Sequence, residues 1–318
     1  MNFSETAADY IAQLSAQGRH SSAHIYRNAL RSFNHFMQSE SVSFDDVTPD
    51  VIKLYERSLT QGGASPNTVS TYLRMLRSIY NRGVDAAQAE HVPRLFRNVY
   101  TGIDSRHKRA LDADALRRLL YGEVGTTRLR HTQLLARVAF QFYGIPFTDL
   151  AHLRLDDIAG NVLSYRRRKT GIAVRIELLP FIRETLESLR AIEHCSPDDT
   201  LLFHLLPSDI AFRSSLEHYH RYNTALRTFN RRLKALAHAL GITQPVSTYT
   251  LRHSWATLAK MQGSPIEAIS EMLGHTSIRT TQIYLKGFDL ERLTEVNRRN
   301  CLFLNEDNGK GIPGNANE

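Results

Sequence analysis

Cysteine is scarce: two residues in 318, Cys195 and Cys301, far apart and forming no metal motif. They are too few for a disulfide framework, and a reducing cytoplasm is the simplest compartment. Long apolar runs are missing too. No stretch approaches the ~18 consecutive apolar residues of a membrane span, so no membrane partner is expected. The start, Met1-Asn2-Phe3-Ser4-Glu5, lacks a basic region followed by an apolar run and gives secretion no support. Internal repeats are absent. No metal or cofactor is expected.

What is present is an ordinary globular balance with a basic excess. Hydrophobic residues make up 42% and charged residues 23%, and the length allows two domains with separate cores. Forty Lys+Arg against 32 Asp+Glu give a net charge of +8. That excess favours a polyanionic partner but does not identify one.

The first hundred residues read as short amphipathic helices. Thr48-Pro49 and Ser65-Pro66 each set an N-cap residue before a proline at the first helical position. The second opens a helix with Val69, Tyr72, Leu73, Leu76, Ile79 and Tyr80 on one face, ending at Gly83. Arg74, Arg77 and Arg82 lie off that face, and Arg19, Arg27 and Arg31 repeat the pattern upstream. One such helix suggests only a solvated surface. The recurrence suggests phosphate contacts.

Pro93 to Lys108 reads as a linker, and a helix begins near Leu111-Asp112-Ala113-Asp114 with acids in its first turn. From Leu134 to Leu155 the pattern is largely apolar and helical, so it should be core. The period then changes: Ile172, Val174, Ile176 and Leu178 alternate with Ala173, Arg175 and Glu177 as a half-buried strand. Asn161 to Arg168 would be its partner, with Lys169-Thr170-Gly171 in the turn. Arg166, Arg167 and Arg168 alternate faces there, and the pattern does not say which faces inward. Thr224 to Leu240 is a basic amphipathic helix carrying Arg227, Arg231, Arg232 and Lys234.

The chemistry gathers near the C-terminus. Leu251-Arg252-His253-Ser254-Trp255-Ala256-Thr257 lies on a helix that stops at Gly263. Ser264-Pro265-Ile266-Glu267 reads as a capping box opening the next helix, which runs to Gly274. Arg252 and His275 therefore sit near the ends of a helix pair and are able to converge. Thr276-Ser277 starts a further helix that carries Tyr284 about two turns in.

These three phrases, Leu-Arg-His-Ser-Trp-Ala-Thr, Leu-Gly-His-Thr-Ser and Thr-Thr-Gln-Ile-Tyr, resemble the C-terminal signature of the tyrosine recombinases, or phage integrases. The resemblance extends over nearly the whole chain. Tyr143 to Ala151 and Ile283 to Asp289 look like the branch found in Bacteroidetes, with its mobile-element integrases and DNA invertases. It implies a mainly α fold: a SAM-like helical core-binding domain over 1–103 and a mainly helical catalytic domain over 104–304 with a small antiparallel β-sheet. A disordered tail over 305–318 follows from composition.

The resemblance also implies roles. Tyr284 would attack the scissile phosphate and hold it as a 3′-phosphotyrosyl ester, so religation needs no ATP, and arginine and histidine would hold the phosphate charge without a metal. Arg252 would neutralise the non-bridging oxygens with its fork, and one such donor is typically worth about 3–4 kcal/mol. His275 would donate to the same phosphate. Lys169 would protonate the 5′-oxygen leaving group, although Lys-Thr-Gly is also an ordinary turn. Arg31, Arg74, Arg77, Arg168 and Arg231 are the expected DNA contacts.

Two positions depart from the family. Pro146 stands where the first-box arginine belongs, and Tyr143 fills the alternative place just before Gly144. Asp149 keeps the acid of that box. Tyr249 replaces a histidine three residues before Arg252; it donates hydrogen bonds but, with a pKa of ~10, is a poor base. An uncompensated missing arginine predicts cleavage slower by about two or three orders of magnitude. Arg137, Arg154 and Arg168 are candidates to replace it.

The leading reading is a site-specific recombinase performing inversion, integration or excision on double-stranded DNA with inverted-repeat sites. It would act as a homotetramer on paired sites, with Phe288 to Leu304 docking either on a neighbour or on its own protomer. The alternatives are a catalytically impaired DNA-binding paralogue and a type IB topoisomerase.

Overall fold

The structure, a computed structural model, describes residues 1–102, 110–193, 200–209, 211–212, 215–285, 294 and 297, and for Ile283 and Tyr284 the backbone alone. Its first four helices are α1 (Phe3–Ala16), α2 (His20–Met37), α3 (Pro49–Gln61) and α4 (Pro66–Asp85). The caps predicted for α3 and α4 are formed, and α1 has one not expected from the sequence. Thr48 accepts from Val51 N and Ser65 from Thr68 N, each just ahead of its proline, and Asn2 and Glu5 close a capping box on α1.

A core of Phe3, Phe33, Phe44 and Tyr55 joins these helices through edge-on ring contacts. Two expectations change here. Gly83 does not end α4; it lies within the helix, where an added Cβ would come 2.2 Å from the Phe44 ring. The linker also starts later than Pro93, since Leu95 and Phe96 are buried in this core.

A second core forms around α6 (Thr127–Gln141), with α5 (Ala113–Tyr121) before it. Asp112 caps α5 by accepting from Ala115 N. The stretch from Leu134 to Leu155 is largely core, as its pattern predicts, but its helix is interrupted. Beyond Phe142 the backbone turns left-handed at Tyr143 (φ 56°) and Gly144 (φ 63°), and only a short α7 (Phe147–Leu150) follows. Gly144 must be glycine here, because a Cβ would sit 2.6 Å from Arg252 Cα.

The sheet is antiparallel in the order β1 (Ile158–Ala159), β2 (Val162–Arg166), β3 (Ala173–Glu177), its first strand unforeseen. Leu163 pairs with Ile176 and Tyr165 with Val174, which places Val174, Ile176 and Leu178 inward as their alternation requires. Arg167 N and Ile172 O close the turn at 2.8 Å, and Gly171 takes its positive φ of 73°.

Then come α8 (Pro180–Glu193), α9 (Leu216–Ala239), α10 (Thr248–Met261), α11 (Ile266–Met272) and α12 (Ile278–Tyr284). The expected capping box on α11 is not formed: Pro265 itself is the N-cap residue, so Ser264 stands one position too early. Ala256, Ile269, Leu273 and Leu285 make a small core that ties α10, α11 and the end of α12 together. The first helical group touches the second where His20 and His24 of α2 lie against the Tyr219 ring of α9, at 6.1 and 6.2 Å. No helix of the described residues is long and apolar enough to cross a membrane. The tail over 305–318 and most of Phe288 to Leu304 lie outside the described residues.

Candidate active site

Arg252, on α10, is 4% exposed, and two backbone carbonyls hold its guanidinium. Its Nη1 donates to Gly144 O at 3.1 Å and its Nη2 to Leu273 O at 2.5 Å. The same Nη2 lies 3.3 Å from His275 Nε2. The tight Gly144 turn therefore does two things: it lets α10 approach, and it presents a carbonyl to the guanidinium.

A second guanidinium enters from the hairpin. Arg167, the first residue after β2, is 6% exposed, and its Nη1 donates to the same Leu273 carbonyl that Arg252 uses. Its Nε lies 2.6 Å from Asp149 Oδ2, an ion pair rather than a well-aligned hydrogen bond. Asp149, buried on α7, uses its other oxygen to accept from Arg168 N at 2.9 Å. Gly274 makes room for this side chain, because a Cβ there would meet Arg167 Cγ at 2.8 Å. This settles the faces of the three arginines: Arg167 points in, while Arg166 and Arg168 are exposed.

His275 closes the pocket. Its Nδ1 is 2.8 Å from Thr281 Oγ1 on α12. Burial, with the charges of Arg252, Arg167 and Lys169, pushes its pKa down to about 4, so the ring is neutral at ordinary pH. The hairpin turn reaches the same place, since Thr170 Oγ1 donates to Gly274 O at 3.2 Å. Lys169 is exposed at the tip of that turn.

The structure thus brings together Arg252, His275 and the Lys169 turn. Tyr284 is the last residue of α12, one turn beyond Thr281. Tyr249 is on α10 one turn before Arg252, 48% exposed, with its ring edge-on to His253 at 4.7 Å. Among the expected DNA contacts, Arg31 on α2, Arg77 on α4, Arg231 on α9 and Arg168 are exposed, while Arg74 is half-buried with Nε donating to Ser70 O.

Arg167 was not among the residues singled out by the motifs, although it stands two places before Lys169. The strand alternation contained it but lacked the partner that turns it inward. Arg137 and Arg154, candidates to replace the missing first-box arginine, are engaged elsewhere. Arg137 donates to Leu120 O at 3.0 and 2.7 Å and covers the Tyr121 ring, and Arg154 lies over the Phe212 ring. Arg168 contributes only its backbone N–H to Asp149. Pro146 is the N-cap residue of α7, and Tyr143 packs against Trp255. Among the described residues no group of three or more His, Cys, Asp or Glu is arranged to hold a metal.

Residues 129–290, which hold every residue of this pocket, match the model of the phage integrase family. The chain belongs to that family. Residues 2–94 match the phage integrase SAM-like domain. The tyrosine recombinase XerD of Pseudomonas putida is 26% identical to this phage integrase family member over 266 residues, covering 81% of this chain and 84% of the relative.

Among solved structures, the Tn1549 transposon integrase in complex with transposon right-end DNA is similar, with a TM-score of 0.65 and 15% identity. That match covers 94% of this chain and 99% of the other. A lambda integrase tetramer bound to a Holliday junction gives a TM-score of 0.64 at 16% identity, covering 91% and 80%. At these identities the likeness establishes the integrase fold.

Proposed function

We propose that this integrase-family chain is a site-specific DNA recombinase that cleaves and rejoins strands through a 3′-phosphotyrosyl intermediate. The observation that carries the reading is the convergence of two buried guanidiniums and one imidazole at the start of the helix that ends in Tyr284.

The Tyr284 oxygen attacks the scissile phosphorus, and the P–O5′ bond breaks as Lys169 gives its proton to the departing oxygen. Arg252 and Arg167 neutralise the non-bridging oxygens, where charge grows in the transition state. His275 contacts the same phosphate, and the Tyr249 hydroxyl donates from the histidine's usual place. The ester conserves the bond energy, so the reaction needs no ATP, and the guanidiniums and imidazole hold the phosphate charge without a metal.

In this reading residues 1–103 form the core-binding domain and 104–304 the catalytic domain. The two close around duplex DNA through phosphate contacts from Arg31, Arg74, Arg77, Arg168 and Arg231. Four protomers on two inverted-repeat sites exchange strands in the cytoplasm, and the Bacteroidetes-like phrases suggest a mobile-element or invertase setting. The lambda integrase tetramer on a Holliday junction supports this assembly by analogy of fold.

The absence of the first-box arginine favours an impaired DNA-binding paralogue instead, whereas Arg167 beside Arg252 supports the catalytic reading. A nicked or phosphorothiolate suicide duplex carrying the inverted repeats beside the gene decides the matter. Wild type is expected to form a covalent adduct on a denaturing gel and Tyr284→Phe none. Binding without any adduct from wild type would establish the paralogue.

A further inference from the structure

Asp149 orients Arg167, yet it stands on α7, a helix of one turn that cannot sustain itself. Part of its support comes from α9. Thr148, just before Asp149, meets Tyr222, and the two hydroxyls are 2.6 Å apart. His152, in the turn that continues α7, meets His218, Nε2 to Nε2 at 2.9 Å. Thr148 and His152 are four residues apart, and so are His218 and Tyr222, so each pair shares one helical face. The contacts form a two-rung ladder that brackets Asp149 in sequence.

The second rung has a defined direction. His152 Nδ1 lies 2.6 Å from Thr148 O, and a carbonyl only accepts, so this nitrogen carries a proton. Burial, with the Arg168 and His218 charges, pushes the His152 pKa down to about 4, so the ring is neutral at ordinary pH. Its Nε2 therefore accepts, and His218 Nε2 donates. The first rung works in either direction, since both hydroxyls donate and accept. Ring packing adds to the ladder without depending on it: Phe147 lies 5.9 Å from the Tyr222 ring and 5.6 Å from that of Phe229.

We infer that Tyr222 and His218 are positioning residues of the cleavage site, holding α7 so that Asp149 meets the Arg167 guanidinium. This rests on the recombinase reading above, because the ladder reaches the phosphate only through Arg167. Asp149 spends both oxygens on the hairpin, one on Arg167 Nε and one on Arg168 N, so a displaced α7 loses both contacts together.

The test is a double-mutant cycle in the full chain. Tyr222→Phe removes one hydroxyl and keeps the ring, and His218→Leu removes the donor of the other rung. Together they are expected to slow single-turnover adduct formation on the suicide duplex about tenfold, with Kd for the duplex unchanged. In an Asp149→Asn background the same two substitutions are expected to slow it by less than about twofold, because they act through that carboxylate. A second readout needs no DNA. The buried Arg167 Nε–H, assigned in ¹⁵N spectra by the signal lost in Arg167→Lys, is expected to exchange with solvent at least about tenfold faster in the doubly substituted chain than in wild type.

Equal slowing with and without the Asp149 carboxylate would overturn the inference, as would wild-type cleavage by the doubly substituted chain or unchanged exchange at Arg167. The exchange measurement decides even if wild type forms no adduct and the recombinase reading fails. If the doubly substituted chain does not fold, Tyr222→Phe alone is carried through the same comparisons.

Discussion

Arg167 and Asp149 form a buried ion pair, Nε to Oδ2 at 2.6 Å, between the β2–β3 hairpin and the short helix α7. The acid of the first box is thus in its expected place while its positive partner comes from another element. Removing either charge leaves the other buried and uncompensated, which is where such pairs matter most.

Arg167→Lys keeps a charge but loses the fork that reaches both Leu273 O and Asp149. Adduct formation on a suicide duplex is expected to drop by about 10²–10³. Arg167→Ala is expected to lose at least as much and also about 3–5 kcal/mol of stability in urea titrations, because Asp149 stays buried. Cleavage by the lysine variant at the wild-type rate would remove Arg167 from the phosphate site.

Asp149→Asn separates charge from shape. The amide oxygen still accepts from Arg168 N, but nothing anionic orients Arg167. Single-turnover cleavage is expected to slow about tenfold or more, while the salt dependence of DNA binding stays as in wild type, because the exposed phosphate contacts are untouched.

Gly144→Ala and Gly160→Ala form an informative pair. Both glycines have positive φ, 63° and 59°. Only Gly144 faces Arg252 Cα, at 2.6 Å from an added Cβ, whereas Gly160 faces open space. Gly160→Ala is expected to cost about 1 kcal/mol and to leave cleavage intact. Gly144→Ala adds about 1–3 kcal/mol of overpacking and displaces Arg252, so both the urea midpoint and adduct formation fall.

Acid is expected to destabilise the chain in a defined window. Burial, then the Arg168 and His218 charges, push the pKa of His152 down to about 4, and His275 is pushed equally low. The unfolded chain, with histidines near the ordinary 6.5, binds more protons than the folded one between those values. Stability is therefore fully present above about pH 6.5 and is lost as pH falls toward 4, at ~1.4 kcal/mol per tenfold difference in proton affinity. Urea midpoints at pH 7.5 and 5 check this, and His152→Gln is expected to shrink the difference.

Much of this was legible in the residues. Proline after Thr48 and Ser65, the alternation from Ile172 to Leu178 and the spacing of Arg252, His275 and Tyr284 each reflect a local rule of period or capping. What was not legible depends on contacts between distant segments. Gly83 reads locally as a helix stop, but the Phe44 ring packed beside it explains the glycine within the helix. The helix break at Tyr143 coincides with the close approach of α10 to Gly144, which no local pattern announces. Arg167 sits in a run of three arginines, and only its pairing with Asp149 and Leu273 O sets it apart.

The Leu273 carbonyl has a consequence for any mutational survey of this pocket. It receives a hydrogen bond from both guanidiniums, yet it belongs to the main chain and survives every substitution of residue 273. Scanning position 273 reports on the small apolar core under α11 and is silent about the oxygen that aligns the two cations. An ester in place of the amide between Leu273 and Gly274 would weaken that acceptor without touching a side chain, and so expose a determinant that no codon specifies.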